Sequence, residues 1–201
     1  MSRILLATSN PGKIEEYRFL LHGISYQINT LAEQGITELV SESGNSYEQN
    51  ARLKAITYAN LSQMITIADD SGLEVDALGG EPGVQSARFA GEKATDADRI
   101  GLLLAKLNSI PWEKRTAHFK CVIAIVTPEG QLELCTGECH GIIALKAKGQ
   151  NGFGYDPIFY IPDANTTMAE LPFEIKNQIS HRAQAAQKAK QVLKRLMPVP
   201  Y

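Results

Sequence analysis

The spacing of apolar and polar positions changes several times along the chain, and each change predicts an element. Arg3 to Ala7 is a short apolar run that reads as a buried strand. The pattern then turns helical, with Asn10 as N-cap, Pro11 at the first helical position, and Ile14, Tyr17, Leu20 and Leu21 at helical spacing. Ile24, Tyr26 and Ile28 alternate, predicting a second strand over Ile24 to Thr30. Ser46 with Gln49 reads as a capping box opening a helix to about Leu61. Met64 to Ala68 predicts a strand that ends in acids. Asp69 to Gly91 follows as a long glycine-rich connection without a clear period, a loop length that is usually functional. Thr95 caps a third helix through about Leu107. Two longer strands, Thr116 to Thr127 and Gln131 to Leu145, flank Pro128-Glu129-Gly130 as a hairpin. A loop and a short strand then lead to a C-terminal helix from about Ser180 to Met197, rich in alanine and long polar residues. This order of elements predicts an α/β fold with a mixed sheet, and the length fits one domain over residues 1–201, with two lobes.

Composition narrows the class. At 44% hydrophobic and 21% charged, the chain is composed like a globular protein rather than a disordered one. Lys+Arg 20 against Asp+Glu 22 leaves a net charge of −2, which argues against a nucleic-acid polymer as partner. The longest apolar runs, such as Cys121 to Val126, fall well short of the roughly 18 residues that span a bilayer, so no membrane segment is expected. Met1-Ser2-Arg3 and the four apolar residues after it lack the apolar core and cleavage site of a signal peptide, so the expected location is cytoplasmic. Cys121, Cys135 and Cys139 are odd in number and sit in strand-like sequence, as reduced thiols do. Cys135 and Cys139 on one strand lie roughly 13 Å apart, too far to share one tetrahedral metal ion.

Four clusters carry candidate chemistry. Thr8-Ser9-Asn10-Pro11-Gly12-Lys13 joins a strand to a helix N-terminus, whose free N–H groups and positive dipole end suit an anion, with Lys13 adding a full charge; it also reads as a simple capped helix start. It is not a Walker A loop, since the first glycine is missing and Ile14 stands where magnesium would need Ser or Thr. Asp69-Asp70-Ser71-Gly72, with Glu74 and Asp76 beyond, is placed at a strand's carboxyl end, where ligands of α/β sheets bind. Adjacent carboxylates repel, so the pair reads either as a site for a hard cation such as Mg²⁺ or as a solvated acidic turn. Gly152-Phe153-Gly154-Tyr155-Asp156-Pro157 is either a backbone that approaches a ligand closely, with Phe153 stacked on a base, or a tight turn with a core aromatic. Ser180-His181-Arg182, after Lys176, puts two potential cations at the positive end of a helix, which is unfavourable unless an anion or a carbonyl-rich ligand sits there.

Together the clusters resemble one family, the noncanonical purine nucleoside triphosphate pyrophosphatases of the Ham1/RdgB type, also called inosine triphosphate pyrophosphatases. The resemblance is carried by ATSNPGK at residues 7–13, SGNSYEQNARLKA at 43–55, IADDSGLEVDALGGEPGVQSARFAG at 67–91, GFGYDPIF at 152–159 and ISHR at 179–182. It implies an elongated mixed sheet flanked by helices, with two lobes and the active site in the cleft between them. It implies Mg²⁺-dependent hydrolysis of (d)ITP and XTP to the monophosphate and pyrophosphate by a homodimer that cleanses the nucleotide pool. On the matching positions, Thr8, Ser9, Asn10, Pro11, Gly12 and Lys13 would bind the triphosphate. Asp70 would be general base and metal ligand, Ser71 a substrate contact, and Asp69 a metal ligand or supporting acid. Phe153, Gly154, Tyr155 and Asp156 would hold the nucleoside, while Lys176, His181 and Arg182 would read the base edge.

Donors at those positions suit hypoxanthine and xanthine, which present an acceptor oxygen at purine position 6 where adenine presents an amino donor. A buried donor facing that amino group would go unpaired. Two departures from the family pattern concern charge: Ser41 stands where many relatives have an acid, with Glu42 beside it as the candidate replacement ligand, and Gln49 stands where Glu is common. The competing readings are a Maf-like pyrophosphatase for modified pyrimidine nucleotides or dTTP, and a nucleotide-binding sensor without turnover.

Overall fold

The computed structural model describes residues 2–196. Seven strands form one sheet: β1 (Ser2–Leu6), β2 (Tyr26–Thr30), β3 (Ile65–Val75), β4 (Thr116–Val126), β5 (Leu132–Ile143), β6 (Phe159–Ile161) and β7 (Thr166–Thr167). Their order across the sheet is β2-β1-β3-β4-β5-β6-β7. β1 pairs in parallel with β2 and β3, whereas β5-β6 and β6-β7 are antiparallel, so the sheet is mixed as the alternation of elements predicts. The helices are α1 (Pro11–Leu20), α2 (Tyr47–Ser62), α3 (Asp96–Lys106), α4 (Phe173–Ile179) and α5 (His181–Arg195).

The chain divides into two compact units, each with its own core. The first takes the residues up to Asp70, Cys121–Gly137, and Arg182 onward. Ile4 and Leu6 of β1, Ile67 of β3, Ile123 of β4, Tyr17 and Leu21 of α1, and Ala185, Ala189 and Leu193 of α5 make its core. The second takes Ser71–Lys120 and Glu138–His181. Its core gathers Leu73 and Val75 of β3, Leu103 of α3, Phe119 of β4, Phe159 of β6, and Met168. The unit boundaries fall inside β3, β4 and β5, so these strands serve both cores in turn.

Local signals explain most element ends. Asn10 caps α1, its Oδ1 accepting from Lys13 N–H at 3.0 Å, and Pro11 occupies the first helical position, where its missing N–H costs nothing. Thr95 and Asp98 form a reciprocal capping box on α3. The hairpin between β4 and β5 closes through Thr127 and Gln131, with Gly130 at φ +87.

Several expectations are corrected. The Ser46 side chain accepts from Gln49 N–H, but Gln49 Oε1 turns to Asn45 N–H instead of returning to Ser46, so α2 has a single cap and no box. The second strand begins at Tyr26, after a turn over Gly23. The acids do not end a strand: β3 runs on through Asp69, Asp70, Ser71 and Gly72 to Val75, and short 3-10 turns over Asp76–Leu78 and Gly83–Arg88 occupy the expected loop. The run looked broken because its polar residues are buried and paired rather than exposed. Helix α4 escaped the sequence pattern because its seven residues are too few to show a period. Ser180 ends α4 and directly precedes α5, and the expected helix end at Met197 lies outside the described residues.

Candidate active site

In the first unit, α1 and β3 bring opposite charges together. Thr8 Oγ1 accepts from Asn10 N–H at 3.2 Å, and with Ser9 and Pro11 this forms an exposed helix start. Lys13 leans from the first turn of α1 so that its Nζ lies 3.0 Å from Asp69 Oδ2. Arg182, at the start of α5, places Nε 3.6 Å from the same oxygen and pairs with the buried Glu16 of α1. The two carboxylates resolve the oddity of a cation at a positive helix end: the anion that the helix start requires is supplied by the protein itself. Burial alone would raise the Asp69 pKa, but Lys13, Arg182 and Lys54 outweigh it and hold the carboxyl well below its usual range. Cys121 Sγ is 3.8 Å from Asp69 Oδ2, and burial, helped by that charge, pushes its thiol up to about 12.

Asp70 is treated differently. Neighbouring residues of a strand point to opposite faces, so the two carboxylates do not confront one another, and the repulsion argued from their adjacency is relieved by geometry. Asp70 Oδ2 accepts from Asn50 Nδ2 at 2.9 Å. Burial raises its pKa; Lys54 pulls it down and Glu42 pushes it up, for a net rise. Lys54, one helical turn after Asn50, donates to the Asp69 carbonyl at 2.5 Å and pairs with Glu42. Burial by itself would lower the Lys54 pKa, yet the Asp69, Glu42 and Asp70 carboxylates raise it. Both acids are buried, which removes the reading of a solvated acidic turn.

The second unit builds a cluster around residues 152–156. Asp156 Oδ2 accepts from Phe153 N–H at 2.9 Å and pairs with Lys176 of α4; both side chains are at most 4% exposed. Lys176 Nζ also lies 4.8 Å from the centroid of the half-buried Phe153 ring. At Gly152, φ is +74 and a Cβ would fall 2.0 Å from Asp156 Oδ2, so only glycine permits this turn. The Tyr155 hydroxyl donates to Ser86 carbonyl at 2.9 Å. His181 stacks on Phe119, ring centroids 4.7 Å apart.

The first unit therefore gathers Lys13, Asp69, Asp70, Glu42 and Arg182, and the second gathers Phe153, Gly154, Tyr155, Asp156, Lys176 and His181, with Ser71 half-buried on β3. Arg182, expected with Lys176 and His181 at a base, pairs with Glu16 and lies near Asp69. Glu74 and Asp76 go to His118 and Thr116. Asn50, Lys54 and Glu16 were missed by sequence reasoning. A signal existed for the α2 pair: Tyr47, Asn50, Ala51, Ala55 and Tyr58 trace the buried side of the helix, and a polar residue recurring on that side needs a partner. Among the described residues no group of three or more His, Cys, Asp or Glu side chains is arranged to hold a metal ion, and no helix is long and apolar enough to cross a membrane.

Comparison with known proteins supplies the lineage. The chain is 48% identical over 195 residues to the dITP/XTP pyrophosphatase of Desulforamulus reducens, covering 96% of each. It is 45% identical over 193 residues to that of Bacillus subtilis, covering 96% of this chain and 98% of the relative. Among solved structures, a HAM1 protein from Coxiella burnetii superposes with a TM-score of 0.88 at 40% identity, covering 97% of this chain and all of that one. The Ham1 protein of Staphylococcus aureus gives 0.87 at 41% identity, covering 98% of this chain and all of that one. The model of the Ham1 family matches residues 4–192. The chain belongs to the Ham1 family.

Proposed function

We propose that this protein is a nucleoside triphosphate pyrophosphatase that hydrolyses noncanonical purine nucleotides, dITP/ITP and XTP/dXTP, to the monophosphate and pyrophosphate. The observation that carries this reading is Asp70: a buried carboxyl of raised proton affinity, oriented by Asn50 and set beside Lys54. Such a group is suited to take a proton from an attacking water. The relatives' activity on dITP and XTP supports the same substrate class.

In this reading the helix start over Thr8 to Lys13 receives the triphosphate through backbone N–H groups and the Lys13 ammonium. Asp70 accepts a proton as water attacks the α-phosphorus; the bond from that phosphorus to the bridging oxygen breaks, and pyrophosphate leaves. Ser71 contacts the substrate. Phe153 stacks on the purine, and Lys176 and His181 face the 6-oxo acceptor, leaving an unpaired donor when adenine is offered. Arg182, held by Glu16 and Asp69, completes the donors that read the base edge.

The donor set suits Mg²⁺. Glu42 and Asp70, whose charges both act on the Lys54 ammonium, offer carboxylate oxygens of the kind a hard divalent ion takes. Glu42 and Asp70 would hold the ion, with Glu42 making good the acid absent at Ser41; Asp69, turned to Lys13 and Arg182, is not counted among its ligands. When bound, Mg²⁺ supplies charge neutralisation on the phosphate oxygens. Homodimerisation belongs to the same reading and is read from the mass in solution.

The deciding experiment measures pyrophosphate release from dITP, XTP, dATP, dGTP and dTTP with Mg²⁺ and again with a chelator. Fast release from dITP and XTP, abolished by chelation, is expected. Equal rates on all purines would sink the specificity, preference for dTTP would favour the pyrimidine reading, and tight binding of ITP without turnover would make the protein a sensor.

A further inference from the structure

The segment around Phe153 has no ladder or helix of its own to hold its backbone, yet two successive N–H groups are taken by carboxylates. Phe153 N–H goes to Asp156, within the same loop, and Gly154 N–H goes to Asp96 Oδ2 at 2.7 Å, from the first turn of α3. Gly154 sits at φ +64, a left-handed conformation that glycine adopts without strain. The other oxygen of Asp96 is ion-paired with Arg99, whose Nη1 donates to the carbonyls of Ala87 at 3.0 Å and Ala94 at 2.6 Å. Tyr155 donates to the carbonyl of Ser86 in that same stretch. One carboxylate thus fixes the loop, and its partner arginine fixes the segment to which the next residue of the loop is tied.

We infer that Asp96 is a positioning residue for base recognition: it latches the Phe153–Asp156 loop to α3 so that the Phe153 ring and the Lys176 ammonium over it hold their places for a purine, an inference that rests on reading this loop as the base-binding element. Asp96 touches no reacting atom. Its two oxygens each have a task, and both tasks need a carboxylate: a side chain with one acceptor serves the loop or Arg99, but not both. A latch of this kind affects ligands that carry a base and leaves the phosphate end alone.

The test compares wild type, Asp96→Ala and Asp96→Asn, in the full chain with Mg²⁺ present, by amide hydrogen exchange over residues 152–156 and by calorimetric binding of dIMP and of pyrophosphate. In Asp96→Ala, exchange at Gly154 accelerates, dIMP binding weakens about tenfold, the size expected for a lost charge-assisted hydrogen bond, and pyrophosphate binding stays within about twofold. Asp96→Asn, retaining one acceptor oxygen, recovers part of the dIMP affinity. Unchanged exchange and dIMP affinity in a folded variant overturn the inference, as does an equal loss for both ligands. If Asp96→Ala does not fold, the ratio of dIMP to pyrophosphate affinity in Asp96→Asn decides alone. Wild type that fails to bind dIMP refutes the base-binding reading of the loop, while hydrogen exchange still decides whether Asp96 holds it.

Discussion

Asp69 in the first unit and Asp156 in the second are both buried carboxylates facing a lysine, but their surroundings differ in kind. Asp69 has Lys13 at 3.0 Å, Arg182 at 3.6 Å and the field of Lys54, so its charge is set by several cations drawn from separate helices. Asp156 is paired with Lys176 and spends the same oxygen on Phe153 N–H, so its role is to shape a loop and hold an aromatic ring. In the proposed reading the first arrangement serves the phosphates and the second a flat base. Charge shared among many partners tolerates the loss of one, whereas charge used to define a shape does not.

The strongest way to break this division is at Asp70. Asp70→Asn is expected to lower kcat by about 10²–10⁴-fold while leaving dIMP affinity nearly unchanged, measured by pyrophosphate release and calorimetry. An unchanged rate would take the chemistry out of the first unit. Next in size are the lysines. Lys176→Met removes the cation beside the buried Asp156 and is expected to cost about 3–5 kcal/mol of stability in urea denaturation. Lys13→Met leaves Asp69 facing Arg182 and Lys54 and is expected to cost less than about half of that; equal costs would erase the distinction. Phe153→Ala is expected to raise KM for dITP about tenfold with kcat within twofold, the range of one lost base stack. A fall in kcat with KM intact would place Phe153 in the chemistry instead.

The smallest effect concerns two thiols, Cys121 in the first unit and Cys139 in the second. Burial raises Cys121 to about 12 and Cys139 to about 11, against an ordinary value of 9.0. The unfolded chain therefore loses these protons first, and the stability they carry is full below pH 9 and declines as pH rises above it. Between pH 8 and 10 wild type is expected to lose roughly 1.3 kcal/mol more than either Cys121→Val or Cys139→Val, because both folded thiols keep their protons through that window. Equal pH profiles for wild type and both variants would place the thiols outside this balance.

Legibility in the sequence followed distance along the chain. The start of α1 and the cap on α3 were readable because the residues that fix them lie within three positions of each other. The strand through Asp69 and Asp70 outruns its local pattern, because what keeps those acids inside it comes from Lys13, Asn50, Lys54 and Arg182, far away in sequence. Arg182 shows the limit most clearly: its position at a helix start calls for an anion or a carbonyl-rich ligand, and nothing local says that Glu16 sets a carboxylate against it. Similarly, the glycines flanking Phe153 pointed to a tight loop, while its anchor on Asp96 lies 58 positions upstream.

The division of the chain into two units also bears on how the protein is made. Neither unit is a continuous stretch: the core of the first joins β1 and α1 to Ala185, Ala189 and Leu193 of α5. During synthesis, β1 and α1 leave the ribosome long before α5 does, so their apolar faces wait for a partner that is still untranslated. The second unit is enclosed between these pieces in sequence and has all its segments available earlier. The order of translation is therefore the reverse of the order in which the two cores can close: the unit that begins first finishes last, and a nascent chain stalled before α5 would carry a completed second core and an open, aggregation-prone first one.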